Sequence, residues 1–335
     1  MIISPERLRA LTEGLVAALG TPADLAQIVA EGLVEANLAG HDSHGVLRLP
    51  WYARQIRDGR IRPAARPELL SVSGATARVD GHLGWGPPAA WLATEAALDR
   101  ARACGVGAAT LLRGNHIGRV GAYVERLARA GMVGMALCNA SPAVAPFGGT
   151  GRLLGTNPFA MAAPGDPPMV LDFATSAVAE GKLRVAVAAG QQVGPGLLRD
   201  AAGRPTQDPR DFYAGGALET FGLHKGSGMS VMIELLARGL AGVDHTAPEP
   251  GGFNGTLILA LDVGSFVPPE LFMAAAERLA AQVAARPPIE GVGRVLLPGE
   301  PEQLVRKQRL AEGIPLAEPI WAELCQLALE LGVAV

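Results

Sequence analysis

The stretch HDSHGVLRLP, residues 41–50, holds the densest polar chemistry in this chain of 335 residues. Two of the six histidines, a carboxylate, a hydroxyl and a guanidinium fall within its first eight positions, although 49% of all residues are hydrophobic and 18% are charged. We predict that Ser43 caps the start of a helix, which would place His44 and Arg48, four positions apart, on one face. Because Pro50 cannot donate a hydrogen bond to the preceding turn, the helix either bends there or begins there.

An imidazole and a guanidinium aimed at one small volume suit a 2-hydroxy or 2-oxo acid. The arginine can hold the carboxylate with two parallel hydrogen bonds, and the imidazole, whose ordinary pKa is about 6.5, can exchange a proton with the neighbouring oxygen. Two other interpretations stay open. The segment could be a capped helix whose loop is rich in histidine. Alternatively, His41, Asp42 and His44 could bind a metal ion, although their spacing is ambiguous and a zinc site usually needs three or four such groups.

Composition argues against several classes of function. The net charge of −3 comes from 29 basic and 32 acidic residues, and no run of Lys or Arg supports binding to nucleic acid or an anionic membrane. Three widely spaced cysteines without a CxxC motif indicate neither a disulfide framework nor a cysteine zinc site. No apolar run reaches the roughly 18 residues of a membrane span, and no hydrophobic signal core follows the start. We therefore expect a cytoplasmic protein of about two domains that acts on small molecules.

Hydrophobic periodicity predicts alternating helices and strands. Helices are expected over residues 4–20 and from residue 21 onward. Three more follow turns: from the turn at 84–89 to residue 102, from the turn at 113–118 to residue 130, and from residues 174–176 to residue 190. The last four are expected after residues 222–226 and over residues 268–285, 302–312 and 318–331. Strands are expected over residues 69–79, 107–112, 132–141, 169–173, 257–261 and 293–297. Residues 84–89 superficially resemble a glycine-rich dinucleotide turn, but two prolines stand where N–H groups should face pyrophosphate. We interpret them as a turn before a helix that begins at proline.

His116 lies at a predicted strand-to-helix junction. Side chains at such junctions can reach a cleft, so His116 is a second candidate for proton transfer, with a capping histidine as the alternative. The long glycine-rich loop of residues 142–158 favours a contribution from Thr156 and Asn157, although a plain pair of turns would also explain it.

Two further helix starts offer places for an anion. Thr175 and Ser176 precede a predicted helix, where hydroxyl and N–H groups can bind a phosphate or hold a nicotinamide amide, although capping alone would also explain them. Lys225 lies in the first turn of a later predicted helix. A cation there opposes the helix dipole, so its position is better explained with an anion bound.

Five motifs in order resemble a known family. They are DSHGVLRLP at residues 42–50, GNHIG at 114–118, GTNP at 155–158, LDFATS at 171–176 and HKG at 224–226. Together they resemble the malate/L-lactate dehydrogenase family, which also includes ureidoglycolate, sulfolactate and diketogulonate dehydrogenases or reductases and cyclic-imine carboxylate reductases. The resemblance spans nearly the whole chain.

This resemblance implies a nicotinamide-dependent oxidoreductase of the α/β (α+β) class that is not a Rossmann fold. A helical domain from both chain ends, residues 1–66 with 300–335, would pack against a mixed, mostly antiparallel sheet domain, residues 67–299, that binds NAD or NADP. The resemblance also implies a small 2-oxo or 2-hydroxy acid as substrate, no metal, and a homodimer with the active site near the interface.

The resemblance further implies a role for each matching residue. Catalysis falls to His44, His116 and Arg48, with either histidine as the proton donor and Arg48 as the carboxylate anchor. Substrate binding involves Ser43, Arg48, Thr156 and Asn157. Cofactor binding involves Ser141, Asp172, Ala174, Thr175, Ser176, His224, Lys225, Gly226, Gly299 and Glu300.

Two departures from the family pattern affect the cofactor and substrate walls. Leu223 stands where relatives commonly have a glycine before the HKG motif, and leucine does not take a positive φ as glycine can. Residues 195–197 read PGL where relatives often have a proline, a spacer and Gly-Trp, which removes an aromatic wall. The alternatives in function are a reductase of a cyclic imine carboxylate such as pyrroline or piperideine 2-carboxylate, a metal-dependent hydrolase, and a non-catalytic binder of small molecules.

Overall fold

The computed structural model describes residues 1–242 and 254–335. Its strands are β1 (Ile2–Ile3), β2 (Glu68–Ser73), β3 (Thr76–Asp80), β4 (Val106–Leu112), β5 (Met132–Cys138), β6 (Phe159–Ala163), β7 (Met169–Phe173), β8 (Leu198–Arg199), β9 (Pro205–Thr206), β10 (Ala217–Leu218), β11 (Thr256–Asp262) and β12 (Ile314–Pro315). Its helices are α1 (Pro5–Ala18), α2 (Ala23–Leu38), α3 (Leu49–Arg57), α4 (Gly86–Cys104), α5 (Gly121–Arg129), α6 (Glu180–Ala188), α7 (Pro209–Tyr213), α8 (His224–Ile233), α9 (Pro269–Ala284), α10 (Glu300–Glu312) and α11 (Glu318–Leu331). Two single turns of 3-10 helix, Asp42–His44 and Val46–Arg48, precede α3, and α8 continues into a π-helical segment, Glu234–Gly239.

These elements are built around one seven-stranded sheet. Its strand order is β2-β3-β4-β11-β5-β6-β7. Only one neighbouring pair, β3 with β4, is parallel, and the other pairs are antiparallel. This mixed, mostly antiparallel sheet confirms the fold class and differs from the parallel sheet of a Rossmann fold.

Both faces of the sheet are covered by helices. On β11, Ile258 and Ala260 belong to a buried cluster with residues of α4 and α5, whereas Leu257 belongs to a cluster with Ile233 of α8 and Ala237 of the π-helical segment after it. Alternate residues of a strand point to opposite faces, so this central strand is buried on both sides. A slip of one residue in the pairing of β11 would exchange the side chains that face the two sides of the sheet. Burial therefore fixes the register of β11.

A separate apolar cluster joins the two ends of the chain. It contains buried residues of α1, α2, α3 and α11, among them Leu8, Leu33, Leu49 and Leu324. Within residues 1–242 and 254–335, no helix has the length and apolarity needed to cross a membrane. Residues 41–50, the histidine loop, follow α2 and run into the first turn of α3, so helices with their own core hold the loop at both ends.

The strand prediction fails for two predicted strands, and it omits β6 and the two-residue strands β1, β8, β9, β10 and β12. Residues 69–79 form a hairpin and not one strand, because the chain turns at Gly74, where φ is +53°. Residues 293–297 form no strand and lie in the irregular approach to α10. β6 is absent from the prediction because its sequence, FAMAA, lacks the β-branched residues that mark a strand.

Candidate active site

The helix begins at Leu49 with Pro50 in its first turn, which agrees with the second predicted alternative, and it does not begin after Ser43. Ser43 is not a helix cap, because the chain makes two single 3-10 turns before α3, which has Pro50 in its first turn. The interruption lies at Gly45, where a Cβ would come within 2.2 Å of Oδ1 of Asn37. That oxygen accepts a hydrogen bond from the backbone N–H of Val46 at 2.9 Å. A side chain of α2 therefore replaces a helical hydrogen bond.

Ser43, His44 and Arg48 nevertheless converge. Nε of Arg48 donates to the carbonyl of Ser43 at 2.6 Å, and Oγ of Ser43 lies 2.9 Å from Nδ1 of His44. In the described part of the chain, the two terminal nitrogens of the Arg48 guanidinium have no hydrogen-bond partner. An open guanidinium fork is what the recognition of a carboxylate by two parallel hydrogen bonds requires.

His116 joins this group from the turn between β4 and α5. Its ring stacks on that of His44, with centroids 5.4 Å apart and planes inclined by 19°. Its Nδ1 lies 2.7 Å from the hydroxyl of Tyr52, a side chain only 1% exposed. The ring of Trp51 meets His116 edge-on at 6.1 Å. The structure thus brings together the two histidines and the arginine that the sequence singled out.

Burial sets the charge of this histidine pair. It lowers the pKa of His44 to about 3, and the positive charge of Arg48 adds to the shift. Burial also moves the pKa of His116 well below its ordinary value, with further contributions from Arg48 and His44. Burial raises the pKa of Tyr52, so its hydroxyl stays protonated. Both imidazoles are therefore neutral near pH 7. A carboxylate bound to Arg48 would reduce the part of both pKa shifts that the charge of Arg48 causes.

The turn that carries His116 is held by the segment that resembles a dinucleotide turn. Nδ2 of Asn115 donates to the carbonyls of Leu83 and Gly84 at 2.9 and 2.8 Å. Gly86 approaches so closely that a Cβ there would lie 2.2 Å from the carbonyl oxygen of His116. α4 begins at Gly86 with proline in its first turn, as predicted. This segment is therefore the scaffold of the His116 turn.

The other side chains of the histidine loop have separate partners. Asp42 binds Arg309 of α10 through both oxygens, at 2.6 and 3.0 Å, and Nε2 of His41 lies 3.3 Å from Glu302 of the same helix. His44 is engaged within the loop. Because these three side chains face different neighbours, their geometry gives no support to a shared metal site. Among the described residues, no trio of His, Cys, Asp or Glu side chains is arranged to hold a metal ion.

A polar cleft is lined by Arg119, which follows His116 by three residues, by Asp172 and by the start of α10. Arg119 is 9% exposed, and its Nη2 donates to Glu125 at 3.0 Å. Its Nε is buried without a partner in the described part of the chain. Oδ2 of Asp172 accepts from the N–H of Gly121 at 2.7 Å, and burial raises the pKa of Asp172. The charge of Arg119 also contributes to the lowered pKa of His44, so cleft and histidines are neighbours.

The polar side chains of this cleft are of the kinds that bind the phosphate and ribose groups of a dinucleotide. The guanidinium of Arg119 carries a charge that suits a phosphate, and the carboxylates of Asp172 and Glu302 can accept from ribose hydroxyls. Gly299 lines the same cleft. Glu300 does not: it lies in a neighbouring groove and forms an ion pair with Arg294 at 2.5 Å.

Asn157 lies in the interior and not on a cleft wall. Its side chain is 0% exposed. Its Oδ1 accepts from the N–H of Ala140 at 2.9 Å, and its Nδ2 donates to Oγ of Ser230 and Oε1 of Glu234, each at 2.9 Å. The side chain therefore clamps the loop before β6 onto α8.

The two hydroxyls predicted at a helix start lie before that helix. α6 begins only at Glu180. The hydroxyl of Thr175 donates to the carbonyl of Thr156 at 3.0 Å, and the hydroxyl of Ser176 donates to that of Val178 at 2.9 Å. Both hydroxyls brace local backbone, whereas Thr156 itself is partly exposed.

The remaining predicted cofactor residues lie mostly on the surface. Ser141, His224 and Lys225 are exposed, Ala174 is partly exposed and Gly226 is buried. The leucine before the HKG motif, Leu223, adopts a φ of +56° and a ψ of −115°. Leu223 thus adopts backbone angles that glycine would favour, and this conformation is strained for a leucine.

Sequence reasoning missed several residues of the site. Tyr52 and Trp51 touch His116, Arg119 lines the cleft, and Arg309 fastens the histidine loop. One signal was present for Tyr52. It lies four positions after Arg48, and a helix near Pro50 places residues four apart on the same face. The others come from distant parts of the chain, with no local pattern to mark them.

Fold and site together define a class, the oxidoreductases of small 2-hydroxy acids that are built on a mixed sheet. The family model for malate/L-lactate dehydrogenase matches residues 3–325, and the chain therefore belongs to the malate/L-lactate dehydrogenase family. The L-sulfolactate dehydrogenase of Methanothermobacter thermautotrophicus is 36% identical over 341 residues, which covers 99% of this chain and 98% of that protein. The L-lactate dehydrogenase of Cupriavidus necator is 37% identical over 351 residues, covering 100% and 99%. The solved structure of the delta1-piperideine-2-carboxylate reductase from Pseudomonas syringae pv. tomato matches with a TM-score of 0.88 and 33% identity, over 98% of this chain and 100% of that one.

Proposed function

We propose that this chain transfers a hydride between NAD(P)H and C2 of a small 2-oxo acid, so that the reverse reaction oxidises a 2-hydroxy acid. The observation that carries this proposal is the open guanidinium fork of Arg48 beside the stacked rings of His44 and His116. A carboxylate held on the fork turns the oxygen on the next carbon towards an imidazole. That oxygen is the atom that gains a proton on reduction.

His116 carries the proton in this proposal. The buried hydroxyl of Tyr52 can donate to Nδ1 of the neutral imidazole or accept from the imidazolium, so it supports both protonation states. Nε2 is then left for the substrate oxygen. General acid catalysis of this kind contributes about 10² to 10⁴ in rate, roughly 3 to 5 kcal/mol, and His116→Gln should lose that much at most.

The cofactor is NAD or NADP, which when bound supplies or accepts the hydride. Arg119, Asp172 and Glu302 would hold it, with Gly299 on the same wall. Lys225, exposed in the first turn of α8, is a further candidate for contact with its phosphates.

Nicotinamide absorbance tests the proposal. NADH and then NADPH are offered with pyruvate, oxaloacetate, glyoxylate and a sulfonated 2-oxo acid. Consumption with at least one acid is expected, and the pair of cofactors reveals the preference between them. Failure of every acid, together with no binding of either dinucleotide by titration, would contradict the proposal.

Arg48→Lys tests the anchor. Lysine keeps the charge but loses the fork, so the KM for the acid should rise while the Kd of the dinucleotide stays nearly unchanged. Arg54→Lys, at an exposed arginine on α3, the helix that follows Arg48, is the control and should change neither quantity. A large loss of dinucleotide affinity in Arg48→Lys would remove this residue from the substrate site.

A second candidate is the reduction of a cyclic imine carboxylate, favoured by the likeness to the piperideine carboxylate reductase. The same anchor and the same hydride geometry would serve it. Turnover of pyrroline-2-carboxylate well above that of every 2-oxo acid would establish this alternative.

A homodimer is part of the proposal. Val231, Met232 and Leu235 on and after α8 are between 42% and 52% exposed, which leaves an apolar surface of the kind that marks interaction sites. Leu235→Glu should yield monomers by light scattering, whereas Leu329→Glu, at an exposed position on α11, should not. A monomeric parent protein would contradict the dimer.

The domain division and location are proposals of the same kind. Residues 1–66 with 300–335 form one domain and residues 67–299 the other, which is supported by the separation of the chain-end apolar cluster from the clusters of the sheet. The cytoplasm is the proposed location, supported by three cysteines that are all unpaired thiols.

A further inference from the structure

The first turn of α6 lies directly against the histidine loop. A Cβ built on Gly181 would come within 3.0 Å of Cβ of Ser43, so the backbone of the helix start and the loop that carries the site are in contact. Glu180 is the residue before this contact, and its side chain is only 24% exposed. The mechanism above assigns no role to it.

Glu180 belongs to a closed group of polar side chains. Nη2 of Arg184, one turn further along α6, donates to both carboxylate oxygens at 3.0 and 3.2 Å. The hydroxyl of Tyr213 donates to Oε1 of Glu180 at 2.8 Å. Burial acts to raise the pKa of Glu180, but the hydrogen bonds from Arg184 and Tyr213, together with the charges of Arg184 and Arg48, keep that pKa below its ordinary value. Glu180 is therefore ionised at neutral pH, and Arg184 is already paired.

The charges of Glu180 and Arg184 act on Arg48, the proposed substrate anchor. Glu180 stabilises the charged form of Arg48, Arg184 opposes it, and Arg48 in turn stabilises ionised Glu180. The three charges sum to one positive charge. A 2-oxo acid with a single carboxylate neutralises that set, whereas an acid with a second anion at its far end leaves an excess negative charge beside Glu180.

We infer that Glu180, held by Arg184 and Tyr213, selects against 2-oxo acids with a second anionic group, so that this chain prefers acids whose far end is uncharged. The inference rests on the proposed function and names its substrate class. A second carboxylate or sulfonate would be repelled by Glu180 and would have to compete with it for Arg184.

The test compares oxaloacetate with its 4-amide, which has nearly the same shape but no charge at the far end. The parent enzyme should use the amide with the higher kcat/KM. Glu180→Gln removes the repelling charge and releases Arg184, and should raise the oxaloacetate-to-amide ratio of kcat/KM about tenfold, as expected for one unit charge at the edge of a partly buried site. Arg184→Gln should lower the same ratio, because Glu180 is then unshielded.

Glu323→Gln, an exposed carboxylate on α11, is the control and should leave the ratio unchanged. If a variant at α6 fails to fold, the preference of the parent enzyme between oxaloacetate and its 4-amide remains the test.

The inference fails if the parent enzyme prefers oxaloacetate or if Glu180→Gln leaves the ratio within twofold of the parent. Those outcomes leave the proposed dehydrogenase chemistry intact. Absence of turnover with every 2-oxo acid would instead overturn the proposed function, and this inference with it.

Discussion

Replacing Tyr52 by phenylalanine removes one hydroxyl and little else. The ring of Tyr52 packs edge-on against Trp85, with centroids 5.2 Å apart, and phenylalanine keeps that contact. The hydrogen bond to Nδ1 of His116 is lost. One buried hydrogen bond contributes about 0.5–1.5 kcal/mol to stability, so the free energy of unfolding should fall by about that amount.

The effect on rate should be larger than the effect on folding would suggest. Without the hydroxyl, Nδ1 of His116 has no fixed partner, and the imidazole loses the contact that leaves Nε2 for the substrate. Loss of orientation at a proton carrier should lower kcat by about 10- to 100-fold, equivalent to about 1.4–2.7 kcal/mol of transition-state stabilisation. The KM for the acid should hardly change, because Arg48 is untouched.

Tyr123→Phe is the matched control. Tyr123 is also buried, at 2% exposure, and its hydroxyl donates to the carbonyl of Ile117 at 2.5 Å and not to an imidazole. Urea unfolding should show a similar loss of stability in both variants, and steady-state kinetics should show a large fall of kcat only in Tyr52→Phe. A kcat within twofold of the parent enzyme, or equal losses in the two variants, would refute the role given to Tyr52.

Three further predictions follow from the same geometry. Because burial keeps the pKa of both site histidines low, with His44 at about 3, the kcat/KM of oxidation should be flat from about pH 6 to pH 8. Reduction needs a protonated imidazole, so its kcat/KM should fall about tenfold per pH unit over that range, and a plateau would contradict the assignment. Gly86→Ala places a Cβ 2.2 Å from the carbonyl oxygen of His116 and should cost about 1–3 kcal/mol and at least tenfold in kcat. Gly32→Ala, with its Cβ 3.9 Å from Pro87, should be tolerated in urea unfolding and kinetics alike. Arg309→Met removes the paired hydrogen bonds to Asp42 and should lower both kcat and the free energy of unfolding, the latter by about 1–3 kcal/mol; no change in either would show that α10 does not position the loop.

Sequence reasoning located the candidate side chains of the site more readily than the backbone that holds them. The spacing of His44 and Arg48 correctly predicts that they converge, yet a helix does not bring them together. Asn37, from the preceding helix, takes the hydrogen bond of Val46 and closes the loop into two 3-10 turns. A propensity argument treats only neighbouring residues, and this side chain lies nine positions from its partner.

Contacts between distant residues explain the other misses. The pairing of His116 with Tyr52 joins residues 64 positions apart, and the clamp on Asn157 comes from Ser230, 73 positions away. A polar residue in a glycine-rich loop can serve a cleft or satisfy buried backbone, and only the fold distinguishes the two. By contrast, the mixed sheet and the chain-end helices were predictable, because the five motifs together identify the family and hence the fold.

The most direct test of the central claim is the fate of deuterium from NADH or NADPH that carries two deuterons at C4. The enzyme reduces its best 2-oxo acid in ordinary water, and the product is examined by mass spectrometry and NMR. The proposal predicts one deuterium per product molecule, bonded to C2. A product that carries only protium at C2, or that is formed without oxidation of the dinucleotide, would contradict direct hydride transfer at this site.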